Sequence, residues 1–312
     1  MLRAIASCIL LVVAGAAASP AGAAQRRDGA QRVPITGLSG SLQNPCWSPQ
    51  GDRLAITQFT RRYNEGRSVV RTVASAGGGP LATLSPTNAQ SVNLPGSCWN
   101  AASDLVTYTS DPRAGDQVFV VPAAGGAPRA ITRRPVVAFE PSFSPDGRFV
   151  VFERFRPNRS QIWRVGVDGS GLRRLTSDSN DRQPNWSPRG DRIVFQRHRR
   201  GQVDLYTVDP NGRGARNLTR TRRREETDVS WSPSGRYLVF SSDGGNIDRA
   251  SLFTIGAGGG GRRQLTRTSG IYDGAPSWSP DGARIAFESV AADPDGSRGT
   301  RIWTIAAPPG RF

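Results

Sequence analysis

The 312-residue sequence predicts an all-β fold: a six-bladed β-propeller of four-stranded antiparallel blades, its ring closed by an N-terminal strand in the last blade. Three observations predict it. An aromatic-Ser-Pro-x-Gly motif recurs along the chain. Its copies follow a period of about 45 residues, the length that four short strands and their turns require. The last copy also lacks a segment whose counterpart lies near the N-terminal end.

The clearest copies are Asn185-Trp186-Ser187-Pro188-Arg189-Gly190, Ser230-Trp231-Ser232-Pro233-Ser234-Gly235 and Ser277-Trp278-Ser279-Pro280-Asp281-Gly282. Cys46-Trp47-Ser48-Pro49-Gln50-Gly51 is a fourth. Phe143 takes the aromatic place before Ser144-Pro145-Asp146-Gly147, and a worn copy reads Trp99-Asn100-Ala101-Ala102-Ser103. The anchors at 47, 99, 143, 186, 231 and 278 are 52, 44, 43, 45 and 47 residues apart. This spacing excludes helical repeats with periods of about 33 or 34 residues.

Each copy has one internal order. A first strand ends on the aromatic anchor. Ser-Pro-x-Gly then turns the chain, proline fixing φ at the first corner and glycine accepting a positive φ. A second strand follows, as in Ile193-Val194-Phe195 and Ile285-Ala286-Phe287. The third reads aliphatic, aromatic, variable, aliphatic, as in Ile162-Trp163-Arg164-Val165 and Ile302-Trp303-Thr304-Ile305. After a Gly-rich hairpin the fourth ends in Leu/Ile-Thr: Ile131-Thr132, Leu175-Thr176, Leu218-Thr219 and Leu265-Thr266. Four strands bounded by turn signals make one antiparallel blade.

The sixth copy stops after its third strand. Arg32-Val33-Pro34-Ile35-Thr36-Gly37-Leu38 resembles the missing fourth, so residues 33–38 are expected to supply it and close the ring. Deleting residues 25–40 is accordingly expected to lower the melting temperature sharply.

The domain reading is therefore a signal peptide at 1–23, a short linker at 24–32, the propeller at 33–306 and a tail at 307–312. The signal rests on basic Arg3, the apolar run Ile9 to Ala18 and the small residues Ala21-Gly22-Ala23. That run is shorter than the roughly 20 residues that span a bilayer. The expected location is outside the cytoplasm, in the periplasm or the medium, with no membrane span after cleavage. Cleavage removes Cys8 and leaves Cys46 and Cys98, which precede the anchors of the first two copies. They are a disulfide candidate; two buried thiols are the alternative.

A composition of 36 Gly and 23 Pro suits an all-β protein with many tight turns. The net charge is +16 and the sequence contains no lysine, so every basic side chain except His198 is arginine. The arginines are spread over all copies, densest at Arg197-His198-Arg199-Arg200 and Arg222-Arg223-Arg224. Adhesion to an anionic polymer is thus one reading of the charge.

Catalytic motifs are sparse. One histidine, placed among arginines, reads as a surface residue, and no Gly-x-Ser-x-Gly elbow accompanies it. Neither a His-based metal site nor a Cys/His zinc site is expected, and no cofactor. Asp293-Pro294-Asp295-Gly296 and Gly258 to Gly261 read as turns rather than calcium or phosphate loops. Carboxylates remain. Glu140, Asp181, Asp228 and Asp273, with Asn44, Gln183 and Glu226, stand just before the anchors, where the innermost strands begin at one mouth of the channel. An acidic ring there would bind a cation or cationic ligand, or do acid–base work on glycosidic bonds. Pairing with nearby arginines is the competing expectation. The tryptophans, at one repeat position, are expected to pack between blades rather than stack on sugars.

The Pro-x-Trp-Ser-Pro-Asp-Gly-like repeats, ending blade by blade in Leu-Thr, resemble the TolB propeller family. The resemblance covers residues 33–306 and the propeller only, without the α/β domain that precedes it in TolB. It implies a soluble, exported propeller that binds a protein or ligand. With catalytic motifs sparse, the leading expectation is a monomeric, non-enzymatic chain that holds an envelope or extracellular protein, or a small ligand, at one face or at the channel mouth. The alternative is an enzyme acting on a glycan or cell-envelope polymer through the mouth carboxylates.

Overall fold

A computed structural model describes residues 26–310, apart from 88–91, 95–96, 112–114, 158, 178–179, 223, 244–248, 268–270 and 291–298. The expected signal peptide and Asp293-Pro294-Asp295-Gly296 lie outside the described residues. The described chain forms six four-stranded antiparallel sheets; five run inner to outer in chain order, and the sixth takes its outer strand from the N-terminal side. Blade 4 is representative: Asp181–Trp186, Ile193–Arg199, Gln202–Val208 and Arg216–Asn217. The other inner strands are Ser41–Trp47, Val92–Asn93, Val137–Phe143, Glu226–Trp231 and Asp273–Trp278. The core lies between blades. Trp186 packs with Val151 and Ile162 of the preceding blade, and Trp231 with Val194 and Leu205 of its predecessor.

The Ser-Pro-x-Gly turn is held by its serine. In blade 1 the Ser48 carbonyl accepts from the Gly51 N–H at 2.9 Å, and Ser48 Oγ accepts from the Arg53 N–H at 3.1 Å. Blades 3, 5 and 6 repeat the hydroxyl bond with Ser144, Ser232 and Ser279. The worn copy in blade 2 reaches the same result by other means. Asn100 Oδ1 accepts from the Leu105 N–H at 3.0 Å, and Ser103 takes the positive φ (59°) that glycine takes elsewhere.

The Leu-Thr ending is also a bond. Thr132, Thr176, Thr219 and Thr266 each accept, through Oγ1, the N–H of a third-strand residue at about 3 Å. Ser85 does the same for Val70 in blade 1. The fourth strand is only two residues long in blades 2 to 6, so this side-chain bond extends its hold on the sheet.

An N-terminal strand closes the ring, at a register different from that expected. Gln31–Arg32 pairs antiparallel with Trp303 and Thr304, and the Val33 N–H donates to the Ile302 carbonyl at 2.9 Å. Leu175 bonds Ile162 in the same way, so Val33 holds the leucine position and Pro34 stands where other blades place threonine. Ile35-Thr36 instead crosses to blade 1, where the Thr36 N–H donates to the Gly78 carbonyl at 2.9 Å.

Cys46 and Cys98 form a disulfide with Cα atoms 6.1 Å apart, joining the inner edges of blades 1 and 2 across 52 residues of chain. A loop of that length restricts the unfolded chain by about 4 kcal/mol in the chain-entropy view. The Cys46→Ser, Cys98→Ser double variant should therefore melt several degrees lower, and mass spectrometry without reductant should find no free thiol at Cys46 or Cys98. Two free thiols would reject the pairing.

Candidate functional site

Five inner strands carry a β-bulge three residues before the anchor. The register slips between residues 43 and 46, 139 and 142, 182 and 185, 227 and 230, and 274 and 277. At each slip one non-glycine residue has a left-handed backbone: Asn44 (φ 51°), Glu140 (51°), Gln183 (46°), Asp228 (50°) and Ala275 (46°). Four precede proline, which has no N–H to offer the ladder and fits where pairing is interrupted. A bulge re-aims its side chain. All five of these residues line one cavity of about 250 Å³ at a mouth of the channel.

The cavity also takes in Asn93, Asn185, Glu288 from the second strand of blade 6, and the tyrosines Tyr63 and Tyr272. A polar chain runs along one side. The Asn44 backbone N–H donates to Glu288 Oε2 at 2.8 Å, Asn44 Nδ2 to Asn93 Oδ1 at 2.6 Å, and Asn93 Nδ2 to Glu140 Oε1 at 3.0 Å. Opposite, Gln196 Nε2 donates to Gln183 Oε1, which also receives the Asp228 N–H at 3.2 Å. Tyr63 and Tyr272 meet edge to face at 5.6 Å, their hydroxyls 3.3 Å apart, spanning blades 1 and 6.

Three carboxylates face this space, and no arginine among the described residues lines it. Burial pushes Glu140 up to about 8, with the charges of Glu153 and Asp228 adding to the shift. Burial likewise raises Glu288 to about 8, opposed by the Asn44 N–H and reinforced by Asp228. Asp228 is raised by burial as well. Burial and the Glu288 charge hold both tyrosine hydroxyls protonated. Among the described residues no three His, Cys, Asp or Glu side chains are grouped to hold a metal ion.

Of the carboxylates singled out from sequence, Glu140 and Asp228 line the cavity, whereas Asp181 and Asp273 do not. The latter two stand five residues before the anchor, inside the blade, at 0 % exposure. Arg197 grips Asp181 with bonds of 2.6 and 2.9 Å and lies over Phe195 and Tyr206. Arg26 grips Asp273 with bonds of 2.6 and 2.8 Å over Phe287 and Trp303. Glu226, at the same place in blade 5, meets Arg262 at 2.9 Å over Phe240 and Phe253. These are structural clasps, the local pairing that was the competing expectation.

Glu288 was not among the sequence candidates. Its signal is a repeat position: the residue after the second strand's buried aromatic or aliphatic is Thr57, Thr109, Glu153, Gln196, Ser241 and Glu288 in turn, polar every time. His198 is half-buried beside Arg182, and both effects lower its pKa. The opposite mouth is apolar, formed by the anchor tryptophans, Phe143 and the turn prolines.

Comparison with known proteins rests on this ring. The profile described as TolB beta propeller domain matches residues 23–270. The chain belongs to the TolB β-propeller family. "Tol-Pal system protein TolB" of Bordetella pertussis is 33% identical over 129 residues, which are 40% of this chain and 27% of that protein. The match thus spans about a quarter of that relative's length. TolB from Acinetobacter baumannii superposes with a TM-score of 0.63 at 18% identity, covering 88% of this chain and 66% of that one. An oligogalacturonate lyase in complex with manganese gives 0.59 at 14% identity, covering 92% and 96%. At these identities the solved structures establish the shared fold of this TolB-family propeller.

Proposed function

We propose that this TolB-family propeller is an exported, periplasmic binding protein without catalytic machinery, which docks an envelope protein on the carboxylate mouth. One observation carries the reading. In a chain of net charge +16, the mouth cavity presents three carboxylates and, among the described residues, is lined by no arginine, while acids nearby are consumed in clasps. A rigid ring presenting a concave polar site suits partner recognition. The Tol-Pal name of the Bordetella relative supports an envelope partner.

The test is a pull-down from native envelope with the wild-type chain and an Asp228→Arg variant. Capture of one stoichiometric protein, lost in the variant, supports the reading; equal capture by both overturns it. A second reading draws on Glu140 and Glu288, which hold protons near neutral pH beside Asp228, as a general acid would. It requires turnover of envelope glycans that disappears in Glu140→Gln or Asp228→Asn.

A further inference from the structure

The three clasps within the blades share one design. A buried carboxylate receives a guanidinium whose central carbon lies over two rings of the same blade: Arg197 at 5.2 Å from Phe195 and 4.6 Å from Tyr206, Arg262 at 5.3 Å from Phe240 and 4.3 Å from Phe253, and Arg26 at 5.5 Å from Phe287 and 5.6 Å from Trp303. The paired rings beneath Arg197 and Arg262 are 5.9 and 6.0 Å apart. The mouth repeats the acids and the ring pair, Asp228 and Glu288 with Tyr63 and Tyr272 at 5.6 Å, and no arginine among the described residues lines it.

Asn185 gives a second, independent sign. It lines the cavity, is 3 % exposed, and its Nδ2 donates to the Val229 carbonyl at 3.1 Å. Only the amide nitrogen can face a carbonyl, so the other end of the side chain is an acceptor, and that Oδ1 finds no donor among the described residues. A buried acceptor without a donor costs about 1–3 kcal/mol. It calls for a hydrogen-bond donor, not an anion.

We propose that the mouth is a guanidinium site, which takes one arginine side chain presented by the docked partner: the planar head stacks against Tyr63 and Tyr272 and donates to Asp228, Glu288 and Asn185 Oδ1. The flat fork supplies enough donors to meet acceptors spread around a ring, which a compact ammonium does not. This rests on the reading of the mouth as the docking face.

Calorimetric titration of the full chain with Nα-acetylargininamide, Nα-acetylcitrullinamide and Nα-acetyllysinamide tests it. Citrulline keeps the shape and loses the charge. The arginine probe is expected to bind about tenfold or more tighter than either of the others, and to lose about tenfold in Asp228→Asn. Glu288→Gln, which retains an acceptor for the Asn44 N–H, is a second variant with the same expected loss. Equal binding of citrulline, tighter binding of lysine, or unchanged arginine affinity in both folded variants overturns the assignment. Selective arginine binding that leaves a captured partner in place would uphold the guanidinium site and reject the docking reading. A partner lost in Asp228→Arg, with no arginine binding, would do the reverse.

Discussion

Arg26→Ala is expected to lower the melting temperature more than any other single change considered. The Arg26 guanidinium donates twice to Asp273, and also to Asp28 at 2.6 Å and Ser289 at 3.1 Å. Asp273 is fully buried, so alanine leaves an uncompensated charge inside blade 6. Breaking such a pair from one side costs about 3–5 kcal/mol, several times an exposed ion pair. The same guanidinium fastens the chain just before Gln31–Arg32, so the closing strand loses its anchor too. Thermal unfolding followed by circular dichroism should show a fall of roughly 6–15 °C. Exposed Arg27→Ala is the control and should melt like wild type. Adding Asp273→Asn to Arg26→Ala should recover part of the loss. A single variant that melts with wild type would show that the clasp does not hold the ring.

Glu288→Gln should act in the opposite direction, and only at high pH. Its folded pKa of about 8 lies above the ordinary carboxylate value of 4.5. Between those values the folded state holds a proton that the unfolded chain has released, so stability falls as pH rises through the window. Glutamine keeps the acceptor for the Asn44 N–H and cannot ionise. At pH 5 the variant should melt close to wild type. At pH 9 it should be more stable, on the order of 1–3 kcal/mol, or about 2–6 °C. Glu140→Gln should behave alike with a smaller gain, because Glu140 is partly open to the cavity. A variant less stable than wild type at pH 9 would refute the burial of an ionised Glu288.

The blades were legible because each element is signalled by side chains that also make its bonds, Ser-Pro-x-Gly at one turn and Leu-Thr at the fourth strand. The closing strand was legible in kind but not in register. Its one Thr, Thr36, draws the eye to Ile35-Thr36, while Val33 makes the strand's bond and Pro34 replaces the clasping threonine. The mouth was half legible. Asp228 and Glu226 are two residues apart and would share a face in a regular strand. The bulge at φ 50° separates them, sending Asp228 to the channel and leaving Glu226 with Arg262. Nothing in the residue types alone announces that bulge, although the proline that follows it in four blades is a trace of it. Tyr63 lies in a hairpin loop of blade 1 and Tyr272 before the inner strand of blade 6, so only the closed ring brings them together.

Closure through the first described strand sets the order in which this protein is completed. Arg26 and Asp273 are 247 residues apart, and Gln31 waits for Thr304. Five blades are each formed from one continuous stretch and need only neighbours in sequence. The sixth joins Gln31–Arg32 to a strand made more than 260 residues later, Thr300–Ala306. Until the last strand emerges, the chain is an open arc with two unpaired flanks, and the contact that seals it is among the most sequence-distant available, the kind that slows folding. A chain arrested before residue 300 would keep blades but not a ring, and the Tyr63–Tyr272 wall of the mouth, shared by the first blade and the last, would not be built.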